Sequence, residues 1–316
     1  MAFAKLACAL VLSIPWVEAA TTRPRILNSL RVNGYSSWES HEVLAHKYLQ
    51  ALKVSLTGTL LKTASVQPGL GSVSTLTEQA YNESDRVGGK DWPKYGLTMV
   101  GEQRLDNIYD LLKRAIQDGV PGDFVECGVW RGGASMYAKA VIDSYEPRSR
   151  RVHLVDSFEG LPKSTTSGFD SDHWSRIEYL RVSKEDIAAS FQKLNLLDSD
   201  VAFHKGFFRY SAPQLRTQLM AEEKRIVLLR MDGDMYESTI DILYNLYDLV
   251  SVGGCVIVDD WIIPECRRAI DDFRVRHKVF DEVVAIDEYS AYWCKSHALD
   301  VDYEWYRNFN ESRTAE

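Results

Sequence analysis

From about residue 100 onward, short apolar runs alternate with segments in which apolar residues recur at helical spacing. Strands that alternate with helices of this length predict an α/β domain, in which a parallel sheet is covered by helices on both faces. The predicted strands are 123–128, 151–156, 200–204, 225–231, 254–259, 281–286 and 290–295. The predicted helices are 133–144, 183–194, 212–223, 237–250 and 264–276, and a further helix before the first strand ends at Gly119.

The last two predicted strands are separated by only a few residues, which is too short for a helical crossover. They are therefore expected to pair antiparallel. The predicted architecture is a mostly parallel seven-stranded sheet with one antiparallel strand at its end.

The chain is predicted to have four parts. Residues 1–20 are a predicted signal peptide, 21–99 an N-terminal helical or lid region, 100–295 the main domain and 296–316 a C-terminal tail. Within the N-terminal region, a Gly/Pro/Ser/Thr-rich stretch at 65–75 predicts a loop. Before it, apolar residues at helical spacing predict an amphipathic helix that serves as a packing face or joins copies in a homo-oligomer: Leu44, Tyr48, Leu49, Leu52, Leu56 and Leu60.

The first residues, MAFAKLACALVLSIPWVEAA, have the features of a secretory signal. Lys5 precedes a mostly apolar run, and small residues near Ala19 offer a cleavage site. This pattern predicts a protein of the secretory pathway or a secreted one; without a functional signal the protein would be cytoplasmic. The alternative is a short hydrophobic helix that stays attached, and Pro15 interrupts the run too early for a stable membrane span.

Composition narrows the range of partners. Hydrophobic residues make up 45% of the chain, which is enough for a packed core, and the formal charge of −8 lacks the basic surface that nucleic acid or an anionic membrane selects. A small-molecule ligand is therefore expected. Four cysteines follow the predicted signal, and because they lack metal-ligand spacing, buried free thiols are favoured over a disulfide: Cys127, Cys255, Cys266 and Cys294.

A glycine turn follows the first strand, in the sequence VECGVWRGGAS. It does not match the dinucleotide pattern G-x-G-x-x-G, and Glu126 ahead of Gly128 would repel a phosphate but suit an ammonium group. Asp156 ends the second strand, where a carboxylate can accept ribose hydroxyls. An amino-acid end near Glu126 and a ribose near Asp156 together indicate S-adenosylmethionine. The structural alternative is a tight helix-packing turn with Asp156 as a helix cap.

Carboxylates also end the fourth and fifth strands, at Asp232 and at Asp259 and Asp260. Adjacent parallel strands end side by side, so these oxygens should converge, and a set of oxygen ligands without histidine favours Mg²⁺ or Ca²⁺ over zinc. A metal next to a methyl donor would lower the pKa of an acceptor hydroxyl. Asp234 and Glu237 are expected to support this cluster, with Glu237 favoured as a first-turn helix residue.

The motifs VPGDFVECGVWRGGAS, VDSFEGLP, LRMDGDMYEST and GGCVIVDDW together resemble the macrocin O-methyltransferase family, from about Tyr48 to Lys295. The resemblance implies a Rossmann-like methyltransferase fold, S-adenosylmethionine and Mg²⁺ as cofactors, and a sugar hydroxyl of a glycosylated natural product as acceptor. It implies that Asp232 acts as the base and, with Asp259 and Asp260, holds the metal. The residues that it implies for cofactor binding are Glu126, Gly128, Ser135, Asp156 and Gly206.

Two other functions fit parts of the pattern. A catechol-type O-methyltransferase resembles this chain in fold and acidic residues, but that family has a lysine three residues after the first metal aspartate, where this chain has Met235. A binding protein on a decayed methyltransferase fold would be expected to lack Glu126, Asp156 or one of the metal aspartates, and all of them are present.

Overall fold

The computed structural model describes residues 37–69, 72–165, 170 and 174–314. The predicted signal at 1–20 lies outside these ranges. No helix within them is long and apolar enough to cross a membrane. The chain divides into two compact units, Met1–His46 and Lys47–Glu316, and the packing described below is that of the second unit.

The N-terminal region combines helices with a small antiparallel sheet of order β2-β1-β3. The predicted loop at 65–75 is wrong, because most of it belongs to a hairpin; the β-branched residues of SVSTLTEQ favour a strand. The elements are α1 (Ser37–Leu56), β1 (Ser65–Gly69), β2 (Ser72–Gln79), α2 (Glu83–Val87) and β3 (Trp92–Pro93).

A seven-stranded sheet of order β6-β5-β4-β7-β8-β10-β9 forms the centre of the main domain. Its strands are β4 (Asp123–Cys127), β5 (Val152–Asp156), β6 (Val201–Lys205), β7 (Ile226–Met231), β8 (Val250–Val258), β9 (Val284–Ala285) and β10 (Ala291–Cys294). The helices are α3 (Gly101–Gln117), α4 (Gly133–Tyr145), α5 (Lys184–Lys193), α6 (Phe208–Ala221), α7 (Tyr236–Leu246), α8 (Pro264–His277) and α9 (Tyr303–Thr314).

The predicted sheet is confirmed, with one difference in the position of the reversed strand. The strand β10 runs antiparallel to both β8 and β9, so it lies second from the edge and β9 lies outside it. A second difference lies in the predicted tail, where α9 forms a helix that the sequence analysis did not identify.

Apolar side chains pack on both faces of the sheet, as alternation along a strand requires. On β4, Phe124 belongs to the core shared with α3, α4 and α5, whereas Val125 and Cys127 belong to the core shared with α6, α7 and α8. Leu52 and Leu56 of α1 are buried in the first of these cores. The predicted packing face is therefore used within the chain only at Leu49, Leu52 and Leu56, whereas Leu44, Tyr48 and Leu60 are exposed. The homo-oligomer stays a prediction.

Strand register fixes which residues meet at the carboxyl edge of the sheet. Cys127 pairs with Val155 on one side and with Met231 on the other, and Met231 pairs with Val258. The next residue on each strand continues this row, in the spatial order Asp156, Gly128, Asp232 and Asp259. Amide hydrogen bonds of 2.8 to 2.9 Å tie three of these positions to the last residue of the neighbouring strand: Gly128 N to Val155 O, Asp232 N to Cys127 O, and Asp259 N to Met231 O.

The four cysteines fall into two classes. Cys255 and Cys294 are register partners on β8 and β10 and form a disulfide, so the prediction of free thiols is wrong for this pair. Spacing along the chain does not reveal the pairing, because it depends on the reversed strand. The prediction is confirmed for Cys127 and Cys266, which are free and buried.

A histidine pair connects β5 and β6. Nδ1 of His153 lies 2.9 Å from Nε2 of His204, and Nε2 of His153 lies 3.3 Å from an Asp123 carboxylate oxygen. Burial, with a smaller contribution from His153, lowers the pKa of His204 from its ordinary 6.5 to about 4. Between these two pH values the unfolded chain binds a proton at this residue that the folded chain does not bind, so the free energy of unfolding falls as the pH falls through this window.

We predict that His204→Gln reduces the loss of stability in acid. Relative to wild type, the variant should lose less unfolding free energy between pH 7 and 4.5, by on the order of 2 kcal/mol, because a shift of one pKa unit corresponds to about 1.4 kcal/mol. Urea denaturation at the two pH values measures the difference, with the exposed-site variant His297→Gln as control. Equal acid sensitivity in wild type and His204→Gln would contradict the assignment.

Candidate active site

A cavity of about 1320 Å³ opens at the carboxyl edge of the sheet. Six of the residues predicted for cofactor or metal binding line it: Glu126, Gly128, Asp156, Asp232, Asp259 and Asp260. Ser135 and Gly206 are not lining residues. Ser135 is completely buried and donates a hydrogen bond to Glu126, and Gly206 directly precedes the lining residue Phe207.

Gly128 has a structural reason to be glycine. Its φ of +86° lies in the left-handed region, and a Cβ there would stand 1.8 Å from the carbonyl oxygen of Asp232. The turn after β4 therefore passes directly against the turn after β7. Cβ atoms at Gly132 and Gly133 would meet Ile187 and Leu97, respectively, so these two glycines serve packing within the protein.

Asp156 ties together the turns after β4 and β5. One carboxylate oxygen accepts from the amide of Val129 at 2.8 Å, and the other accepts from the amide of Phe158 at 2.7 Å. Burial raises the pKa of Asp156, although these amide bonds favour the charged form. The hydroxyl of Ser157 also donates to Asp156, at a longer 3.4 Å, and Asp156 lines the cavity.

Arg230 connects the cofactor side of the row with the acidic cluster. The side chain is 1% exposed, and its Nη1 donates to Glu126 at 2.7 Å and to Asp232 at 2.9 Å. Its Nη2 lies 2.6 Å from a carboxylate oxygen of Asp259. One guanidinium thus joins acids from the ends of β4, β7 and β8. Burial still raises the pKa of Glu126 to about 7, against the opposing effect of Arg230.

A second arginine, Arg104 of α3, reaches the same cluster. It donates to Asp259 at 2.9 Å through Nη1 and to Asp287 at 2.7 Å through Nε. Burial alone would raise the pKa of Asp259, but Arg104 and Arg230 together hold it below its ordinary value. Asp259 is therefore the acid of the cluster whose charge is best compensated.

The other acids of the cluster lack such compensation, and their charged forms are disfavoured. Burial, followed by the charge of Asp259, raises the pKa of Asp232 to about 6. Burial and the charges of Asp232 and Asp259 raise the pKa of Asp234 to about 8, and burial with neighbouring acids raises that of Asp260 well above its ordinary value. The amide of Asp234 donates to Asp260 at 2.8 Å. The two arginines thus do not balance the cluster.

The geometry of three of these acids suits a metal ion. One carboxylate oxygen from each of Asp232, Asp259 and Asp260 lies within 4.8 Å of the others. All-oxygen donor sets with surplus negative charge are typical of Mg²⁺ and Ca²⁺ sites. The side chains therefore fit the predicted divalent cation in type and in placement.

Glu237 and Asp170 act at the start of α7. Asp170 accepts from the amides of Tyr236 and Glu237, at 2.6 and 3.0 Å, and so caps the helix from a distant point in the chain. The carboxylate of Glu237 accepts from the amide and hydroxyl of Thr165, at 3.1 and 2.5 Å. Glu237 thus lies in the first turn as predicted, but its side chain fastens the loop after β5.

Sequence reasoning missed both arginines. Arg230 lies within the apolar run RIVLLRMD, and a charged residue inside a buried strand was the available signal of a buried ion pair. Arg104 gave no such signal, because arginine is common on amphipathic helices and its partners are 155 and 183 residues away.

Comparison with known proteins identifies the family. Residues 45–295 match the family model described as macrocin O-methyltransferase. The chain is 38% identical over 259 residues to mycinamicin III 3''-O-methyltransferase of Micromonospora griseorubida, covering 79% of this chain and 96% of that protein. It is 40% identical over 251 residues to demethyldecarbamoylnovobiocin O-methyltransferase of Streptomyces niveus, covering 78% and 92%.

Solved structures agree with these relatives. The O-methyltransferase NovP superposes with a TM-score of 0.71 at 36% identity, covering 80% of this chain and 100% of that chain. The calicheamicin methyltransferase CalS11, at 20% identity and a TM-score of 0.50, covers 63% of this chain and 80% of its own and supports the fold alone. The chain belongs to the macrocin O-methyltransferase family and is an S-adenosylmethionine-dependent O-methyltransferase.

Proposed function

We propose that this protein transfers the methyl group of S-adenosylmethionine to a sugar hydroxyl of a glycosylated small molecule, with a divalent cation, Mg²⁺, at its acidic cluster. The observation that carries the proposal is the single cavity in which the cofactor-side residues Glu126 and Asp156 and the acids Asp232, Asp259 and Asp260 face the same space. Mycinamicin III 3''-O-methyltransferase and a rhamnosyl-tetracenomycin 4'-O-methyltransferase of Streptomyces olivaceus, 38% identical to this chain, support a glycosylated acceptor.

The cofactor would lie across the ends of β4 and β5. Asp156 would accept from the ribose hydroxyls in place of the long contact from Ser157, and Gly128 keeps the adjoining wall free of side-chain atoms. Glu126 offers negative charge to the ammonium group, while Arg230 and Ser135 fix the orientation of its carboxylate. Gly206, at the end of the neighbouring strand β6, would lie near the adenine.

Asp232, Asp259 and Asp260 would hold the cation. When bound, Mg²⁺ supplies Lewis-acid activation of an acceptor hydroxyl and neutralises surplus carboxylate charge. Asp259 is kept ionised by two arginines, and this constrains it to a structural and ligand role.

Asp232 is the proposed base that accepts the hydroxyl proton. Its side chain is 29% exposed, compared with 9% for Asp259, so it is the more accessible to an acceptor in the cavity. Its position at the end of β7, next to the cofactor-side turn through Gly128, places the proton acceptor near the methyl donor. General-base groups of this kind contribute about 10²- to 10⁴-fold to rate.

The acceptor side of the cavity has room and suitable chemistry for a large polar molecule. Trp92, Trp130 and Trp174 line the cavity together with polar side chains, and Tyr179 stacks on Trp92 at 5.9 Å between ring centroids. Aromatic faces suit the apolar faces of sugars and of polyketide or aromatic cores. The catechol-type alternative gains no support, because Met235 at its lysine position is buried.

Methyl transfer to matched acceptors tests the proposed substrate class. With labelled S-adenosylmethionine and Mg²⁺, we expect transfer to a glycosylated macrolide or aminocoumarin and little transfer to its aglycone. Omission of Mg²⁺ with added chelator should abolish the transfer. Equal transfer to a simple catechol and to the glycosylated acceptors would contradict the sugar assignment.

We predict that S-adenosylhomocysteine raises the melting temperature by mass action. At about 100 times its dissociation constant a ligand of the folded state adds about 2.7 kcal/mol, which is several degrees for a domain of this size. Asp156→Ala should remove most of this shift because it removes the ribose acceptor. An unchanged melting temperature of wild type at saturating ligand would overturn the cofactor site.

We also predict that Asp232→Asn lowers kcat/KM by about 10²- to 10⁴-fold. Binding of S-adenosylhomocysteine should stay within about threefold of wild type, because asparagine keeps an acceptor for Arg230. Asp271→Asn, on the exposed part of α8, is the control for loss of a surface carboxylate. Wild-type turnover in Asp232→Asn would exclude the base and metal roles together.

A further inference from the structure

The helix α9 lies beyond residue 295, where the match to the family model ends. It is nevertheless firmly packed on the main domain. Tyr306 is buried, and the rings of Trp305 and Tyr306 stack on Tyr244 of α7 with centroids 5.0 and 5.1 Å apart. This packing holds the first turn of α9 against α7.

The last turn of α9 carries Arg313, which is 5% exposed and lines the active-site cavity. Its two terminal nitrogens donate to the two carboxylate oxygens of Asp241, at 3.0 and 2.6 Å, which is the bidentate geometry that arginine forms with a carboxylate. Nη1 also lies 3.5 Å from a carboxylate oxygen of Glu237. Arg313 thus binds α9 to two acids on successive turns of α7.

Glu237 also contacts the loop after β5, so it connects Arg313 to that loop. The same carboxylate oxygen that faces Arg313 accepts from the hydroxyl of Thr165, and the other oxygen accepts from its amide. Glu237, Thr165 and Arg313 all line the cavity. Asp232 and Asp234, which immediately precede α7 in the chain, line the same cavity as Glu237.

We propose that α9 contributes to acceptor recognition. In this role Arg313 is a positioning residue that fixes the side chain of Glu237 and, through it, Thr165. This inference deepens the proposed function and rests on it. It assigns a role in acceptor recognition to a helix outside the family match. The acceptor preference of this chain then depends on an element that the family's shared motifs do not include.

The first test measures acceptor kinetics for Arg313→Ala. We expect the acceptor KM to rise about tenfold, while kcat and the dissociation constant of S-adenosylhomocysteine stay within about threefold, since charge-assisted hydrogen bonds of this kind are worth at least a factor of ten. Arg313→Lys should restore part of the loss. Arg307→Ala, at an exposed position of the same helix, should leave all three quantities unchanged.

A second variant separates positioning from folding stability. Thr165 is exposed, so Thr165→Val removes the hydroxyl contact to Glu237 without disturbing the buried ion pair of Arg313. It should raise the acceptor KM in the same direction with an unchanged melting temperature. The proposal would be overturned if Arg313→Ala had a lower melting temperature and both variants had an unchanged acceptor KM. In that case α9 would only stabilise the fold.

Amide hydrogen exchange tests the positioning role of Arg313 without any turnover assay. In Arg313→Ala the amide of Thr165 should exchange faster than in wild type, whereas amides of β4 and β7 should keep their wild-type rates. Unchanged exchange at Thr165 would overturn the positioning role. If wild type transfers no methyl group to any acceptor, the proposed function fails, and the exchange result still reports whether Arg313 fixes the loop.

Discussion

The ion pairs of Arg230 are the interaction on which the site depends. A buried guanidinium holds Glu126, Asp232 and Asp259, which come from three neighbouring strands of the parallel sheet. Losing one partner of a buried ion pair costs about 3–5 kcal/mol, because the remaining charge is left without compensation. Arg230 therefore joins the cofactor side of the cavity to the acidic cluster through one buried charge.

The strand register, Gly128 and Arg104 together accommodate these charges at the carboxyl edge of the sheet. Register brings Asp156, Gly128, Asp232 and Asp259 into one row, and Gly128 is the residue that lets two strand ends pass in contact. Arg104 adds a second positive charge from α3, yet burial and the neighbouring acids still raise the pKa values of Asp232 and Asp234, which disfavours their charged forms when no cation is bound. A divalent cation is the partner that we propose for these acids, and it would lie beside the methyl donor.

The sequence predicted the sheet, its reversed strand and the acids at its edge, since these depend on local periodicity and on the rule that adjacent parallel strands end side by side. It did not predict Arg104, the Asp170 cap of α7, the Cys255–Cys294 disulfide or the contacts of Arg313, because each depends on which distant segments meet. The hairpin at β1 and β2 was missed because glycine and proline in the stretch outweighed its β-branched residues. The residue roles at the site remain predictions, supported by geometry.

We propose that the two arginines leave a cation site at Asp232, Asp259 and Asp260. Electron paramagnetic resonance of Mn²⁺, a spectroscopic substitute for Mg²⁺, tests it directly by counting free ions in the presence of the protein and S-adenosylhomocysteine. We expect one saturable Mn²⁺ per chain, which is displaced by excess Mg²⁺ and lost in Asp260→Asn. Absence of saturable binding in wild type, or wild-type binding in Asp260→Asn, would contradict it.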